Sequence, residues 1–139
     1  MGSACSLYCP HEPELVPFQD TGGEVRMLII ALDYMYRERH EQLTATSDAS
    51  VMVALAERAG VTDINVVTDT KGIGRAGFPT RKELIAKIKE VASRCQPGDW
   101  FVFFYAGHGV NVPDIDGDEE DGFDEAFVTP SDKGKISLE

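Results

Sequence analysis

The run Tyr105-Ala106-Gly107-His108-Gly109 closes the most apolar stretch of the chain, Trp100–Tyr105. In open α/β sheets, ligands and catalytic groups gather just beyond the carboxyl ends of the strands. A histidine flanked by glycines at such a place has backbone room around its ring and a path for substrate. Its ordinary pKa, near physiological pH, suits it to proton transfer. A plainer reading fits the same residues, a loop histidine whose ring is bonded to a nearby carbonyl, and position alone leaves both open. The second candidate is the stretch Asp114–Glu125, in which eight of twelve residues are carboxylates. Packed carboxylates repel one another unless water or a hard cation screens them, and Ca²⁺ accepts oxygen ligands at flexible geometry. Counted from Asp114, acids fall where an EF-hand loop needs them at Asp114, Asp116, Asp118 and Glu125. Glu119 occupies the position that requires glycine, however, and no helix leads in, so the EF-hand is excluded. A solvated acidic loop and a cation site of another design remain.

Asp48 is the third candidate. At the start of a helix an acid is favourable for the helix dipole alone, and facing a site it could also bind a cationic side chain. Cys95 lies on an apolar helical stripe, where a packing role is expected of a thiol. No serine stands in a G-x-S-x-G elbow. These residues offer a base without a nucleophile.

The elements that must position them are legible from period and punctuation. Met27-Leu28-Ile29-Ile30-Ala31-Leu32 is an unbroken apolar run, the pattern of a strand buried on both faces. Ser47 or Asp48 is expected to cap a helix with Val51, Met52, Leu55, Ala56 and Ala59 on its apolar face, stopped by Gly60. Ile64–Val67 reads as a second strand and Asp69–Pro79 as a glycine-rich loop. Thr80-Arg81-Lys82-Glu83 fits a capping box, followed by Leu84, Ile88, Val91 and Cys95 at helical spacing. Trp100–Tyr105 is a third strand and Glu125–Thr129 a fourth. Strand and helix alternate as in a mostly parallel α/β sheet with helices on its faces.

Composition narrows the function. The 139 residues make one domain, with 42% hydrophobic and 27% charged residues, ordinary for a globular protein. With 13 Lys+Arg against 24 Asp+Glu, the net charge of −11 argues against nucleic acid as a partner. Cys5, Cys9 and Cys95 form no CxxC pair, which speaks against structural zinc or a disulfide scaffold. No stretch approaches 18 consecutive apolar residues, so a cytoplasmic chain is expected. Residues 1–24 hold four acids, no Lys or Arg and three prolines, and read as a mobile arm before a domain at 25–139.

Phe103-Phe104-Tyr105-Ala106-Gly107-His108-Gly109, followed by Asp116-Gly117-Asp118-Glu119-Glu120-Asp121-Gly122-Phe123-Asp124-Glu125, closely resembles the large-subunit (p20) region of metacaspases. Arg26–Tyr34 resembles the family's first strand, and Asp48-Ala49 its Asn-Asp-Ala helix start. The resemblance covers about residues 25–139. It implies a caspase-like α/β fold, incomplete at its carboxyl end, and a Ca²⁺-dependent cysteine endopeptidase that cuts peptide or protein substrates after Arg or Lys. His108 matches the catalytic histidine, Asp48 an acidic wall of the pocket for the basic side chain, and Asp124 a calcium ligand. Ser47 stands where the family has Asn, and Thr44-Ala45 where it has Gly-Cys. Leu138-Glu139 stands at the family's paired calcium-ligand aspartates, so that only Glu139 could serve. The family's nucleophile, in an Asp-Ser-Cys-His-Ser-like motif, belongs to a later strand, outside these 139 residues, and the remaining p20/p10 portion is the expected partner of this segment. This polypeptide alone is therefore expected to be inactive, because His108 has no thiol to deprotonate. An inactive caspase-like binding module and a simple Ca²⁺-binding module are the competing expectations.

Met1-Gly2-Ser3-Ala4-Cys5-Ser6 fits the N-myristoylation pattern at Gly2, with Cys5 and Cys9 placed for palmitoylation. One myristoyl chain binds membranes marginally, and a second acyl chain would make a stable anchor. Chance, or a Met-Gly-Ser cloning remnant, explains the same residues.

Overall fold

The computed structural model describes residues 22–114, 117, 121–131 and 136–137. The candidate acylation sites Gly2, Cys5 and Cys9, the arm before residue 22, and Glu139 all lie outside these residues.

Three parallel strands form the central sheet: β1 (Val25–Ala31), β2 (Asp63–Thr68) and β3 (Trp100–Ala106), in the order β2-β1-β3. Two helices connect them, α1 (Ala45–Arg58) between β1 and β2 and α2 (Arg81–Ser93) between β2 and β3. The unbroken apolar run of β1 follows from its central place. Met27, Ile29 and Ala31 pack against Ala45, Ala49 and Ala56 of α1. Leu28, Ile30 and Leu32, which point the other way, pack with Leu84 of α2 and with Val128. Side chains alternate along a strand, so burial on both faces requires apolar residues at every position. The expected mixed α/β sheet with flanking helices is present.

The first helix differs from expectation in two ways. It begins at Ala45, one turn before Asp48, and its N-cap Thr44 makes no side-chain cap bond. The missing cap comes from Asp33, just past β1, whose carboxylate accepts from the Thr46 amide at 2.9 Å and the Thr46 hydroxyl at 2.6 Å. The buried face is also rotated. Ala45, Ala49 and Ala56 are buried, with Met52 and Val53 partly so, whereas Val51 and Leu55 are 67% and 54% exposed. Two overlapping stripes share Met52 and Ala56, and the alanine side allows the closer approach of helix to sheet. The second helix meets expectation. Thr80 Oγ1 accepts from the Glu83 amide while the Glu83 carboxylate accepts from the Thr80 amide, completing the capping box.

Beyond β3 the chain forms an antiparallel hairpin of β4 (Gly109–Pro113) and β5 (Phe123–Phe127), then a short pair of β6 (Thr129–Pro130) and β7 (Ile136–Ser137). The expected fourth strand at Glu125–Thr129 is β5, begun two residues earlier. β4 was not expected, although Val110 and Val112 alternate with the more exposed Gly109, Asn111 and Pro113.

Charged groups tie the amino ends of the three strands. Asp99 accepts from the amides of Gln96 and Glu24, both at 2.8 Å, and pairs with Arg26, which also reaches Glu24 and Asp63. The amides of Gln96 and Glu24, with Arg26 beside them, hold the Asp99 carboxyl below its ordinary range, and Arg94 does the same for Asp63. A carboxyl lowered by folding adds stability that is fully present above the unfolded value, about 3.9, and is lost as pH falls through the folded value. Urea midpoints are therefore expected to fall below about pH 4, and Asp63→Asn or Asp99→Asn should reduce the size of that fall.

Candidate active site

Parallel strands place the loops that follow β1 and β3 side by side, because Ala31 is paired with Ala106 at the carboxyl end of the sheet. His108 sits there, half-buried, between β3 and β4. Its backbone is held on both sides. The amide donates to the Tyr34 hydroxyl at 3.0 Å, and the carbonyl accepts from the Val128 amide at 2.9 Å and the Tyr105 hydroxyl at 3.1 Å. The ring lies against the Tyr34 ring with centroids 4.7 Å apart and planes tilted by 33°.

The ring nitrogen Nε2 is 2.7 Å from the backbone oxygen of Glu41. A carbonyl only accepts, so Nε2 carries the proton and Nδ1 is left as the acceptor in the neutral ring. The ring is bonded to a carbonyl, as the plainer reading of the sequence expects, and that bond leaves the other nitrogen open.

Glu41 is brought into place by the loop that follows β1. Arg37 N donates to Tyr34 O at 2.8 Å, Gln42 Nε2 to Arg37 O at 2.8 Å, and Leu43 N to Asp33 O at 2.8 Å. The Glu41 carboxylate is itself bound by Arg37, which lowers its pKa. Behind His108, the Tyr34 and Tyr105 hydroxyls lie 3.0 Å apart, and Tyr34 donates to Val128 O at 2.7 Å. Burial pushes both phenols up, so each stays protonated and able to donate at neutral pH.

Gly107 makes this packing possible. A Cβ there would lie 2.5 Å from the Tyr105 hydroxyl oxygen and 2.8 Å from that of Tyr34. Gly107→Ala must displace both phenols and is expected to cost about 1–3 kcal/mol by overpacking, read as a lower urea midpoint.

Asp48 lies exposed in the first turn of α1, and Asp33 ties that turn to the carboxyl end of β1. Asp48 and His108 therefore share one end of the sheet. Cys95 is at the other end, before β3 begins, with its thiol 3.8 Å from Val91 O. At about 3.3 Å per residue, β3 separates it from His108 by roughly 20 Å. Cys95 is therefore out of reach of the His108 ring, and it is half-buried rather than fully inside the helix stripe.

The acidic stretch begins after β4 and ends within β5. Asp114 N donates to Gly122 O at 3.0 Å, and the Asp114 carboxylate accepts from Gly117 N at 2.7 Å. Residues 115, 116 and 118–120 lie outside the described ones. Asp124, opposite Val112 in the hairpin, lines a cavity of about 420 Å³ with Arg81, Leu84, Phe103 and Phe127. Among the described residues no group of three or more His, Cys, Asp or Glu could hold a metal ion. Calcium takes six to eight oxygens, so Asp124, on a mostly apolar wall that also includes Arg81, does not by itself fit the ion.

Tyr34, Glu41, Asp33 and Asp69 were not singled out as site residues from the sequence. Asp33 and Asp69 each stand just past an apolar strand, and that placement was the available signal.

A parallel sheet with helices on its faces and a histidine beyond its carboxyl edge defines a caspase-like α/β domain. The family model described as "Metacaspase, peptidase C14 domain" matches residues 25–137, and the chain belongs to that family. It is 34% identical over 107 residues to Metacaspase-1 of Schizosaccharomyces pombe, covering 76% of this chain and 25% of that protein. Against Metacaspase-1 of Cryptococcus neoformans it is 34% identical over 107 residues, covering 76% and 23%. Against Metacaspase-1 of Yarrowia lipolytica it is 28% identical over 112 residues, covering 79% and 24%. The chain spans about a quarter of the length of the curated relatives it matches. No helix among the described residues is long and apolar enough to cross a membrane.

Proposed function

We propose that this domain supplies the base and an acidic specificity wall of a cysteine endopeptidase, whose thiol comes from another part of the full protein. The observation that carries this reading is the 2.7 Å contact from His108 Nε2 to Glu41 O, which leaves Nδ1 as the acceptor. In the proposed reaction Nδ1 takes the thiol proton and the thiolate attacks the scissile carbonyl carbon. The imidazolium then returns the proton to the departing amine, and water releases the acyl group from sulfur. Asp48, exposed at the same end of the sheet, is the proposed partner of a substrate Arg or Lys. Peptides and proteins with those residues before the cut are the proposed substrates.

Calcium is proposed as an activator bound with the help of Asp124, Glu139 and the acidic turn, with no chemical step assigned to it. Acylation at Gly2, with Cys5 and Cys9 as further sites, is proposed to bring the protein to membranes. Labelled myristate should enter the protein and be lost on Gly2→Ala.

The test of the whole reading is hydrolysis of fluorogenic peptides by the full-length protein, with and without millimolar Ca²⁺. Peptides ending in Arg or Lys should be cut only with calcium, and residues 1–139 alone should cut none. Equal cleavage after Asp or Leu, or turnover by residues 1–139, would overturn it.

A further inference from the structure

Tyr34 is the one non-glycine among the described residues with a left-handed backbone, at φ 53°. For a bulky L-residue that conformation costs on the order of 1–2 kcal/mol, and it persists only where surrounding contacts over-determine it. Here they do. The buried Asp69 carboxylate, just past β2, accepts from the amides of Asp33 at 2.9 Å and Tyr34 at 2.7 Å. The Tyr34 side chain has no exposed surface, its ring lies against the His108 ring, and its hydroxyl accepts from the His108 amide at 3.0 Å.

We propose that Tyr34, clamped by Asp69, is a positioning residue for the His108 imidazole, an inference that rests on His108 being the base. The left-handed turn at Tyr34 has two consequences. It sends the phenol beneath the Gly107-His108-Gly109 turn, fixing the backbone and one face of the ring. It also starts the loop whose next residues bring Glu41 O onto Nε2. One clamp thereby sets both where the ring lies and which nitrogen is free. Tyr34 acts through the His108 ring and backbone, so its effect should fall on the ring's tautomer and on turnover more than on substrate binding.

The test uses the full-length protein labelled with ¹⁵N-histidine, with the His108 resonances assigned through His108→Ala. In the wild type the neutral His108 ring should be a single tautomer with Nε2 protonated. Tyr34→Phe removes only the hydroxyl, and Asp69→Asn sets an amide NH₂ against a backbone N–H. Each variant, its fold checked by circular dichroism, should show mixed tautomers. Each should also lower kcat at least tenfold with KM within twofold. The proposal is overturned if either folded variant keeps the single tautomer, or if the tautomers mix while kcat stays within twofold. Wild-type amide exchange gives a reading that needs no variant to fold: His108 N–H should be strongly protected, and exchange at the free-peptide rate would overturn the proposal. A wild-type protein without peptidase activity would instead refute the base assignment, while the tautomer pattern would still report whether Tyr34 sets the ring.

Discussion

His108→Ala in the full-length protein should reduce kcat for an Arg peptide by at least about 10³-fold, with KM changed little. A general base contributes 10²–10⁴-fold, and loss of one member of a nucleophile–base unit removes nearly all that the unit does. The substitution also removes the ring that lies on Tyr34 and the bond to Glu41 O, but leaves the His108 backbone and its three hydrogen bonds in place. The fold should survive, and the melting temperature should move by a few degrees at most. Steady-state kinetics on the variant, with circular dichroism as the check on folding, separate loss of chemistry from loss of structure.

Asp48→Asn should lower kcat/KM for Arg and Lys peptides by about 100-fold, mostly through KM. Removing one partner of a desolvated charge pair costs 2–5 kcal/mol, and each 1.4 kcal/mol is tenfold. Asn keeps the size but loses the charge, and one acceptor oxygen becomes a donor NH₂. Asp48 is exposed and takes no part in capping α1, since Asp33 performs that task. The change should therefore leave the urea midpoint within about 0.5 kcal/mol, the range of ordinary surface substitutions. Kinetics on paired Arg and citrulline peptides check the charge directly: the wild type should prefer Arg strongly, and the variant should nearly lose that preference.

The sequence made some features legible because they are local. The capping box at Thr80–Glu83 needs only four consecutive residues, and it forms as read. The buried run of β1 declares itself because both faces of a central strand must be apolar. His108 was visible through its place after an apolar strand and between glycines. What escaped depends on contacts between distant residues. The cap on α1 comes from Asp33, 13 positions before Thr46, and no N-terminal motif announces it. The stripe chosen by α1 depends on how closely the sheet approaches, which the period alone cannot say. Asp69 reaches across 35 and 36 positions to the amides of Tyr34 and Asp33, and the partner of the His108 ring is a backbone carbonyl 67 positions away. Any residue type supplies a carbonyl, so Glu41 carried no signal of its role.

On the proposed reading the base lies in this domain and the nucleophile elsewhere in the protein. It is tested most directly by treating the full-length protein, with calcium, with a peptide electrophile ending in Arg, and mapping the adduct by mass spectrometry. One adduct is expected, on a cysteine outside residues 1–139, formed far more slowly in His108→Ala. An adduct on Cys95, or one whose rate is unchanged by His108→Ala, would contradict it.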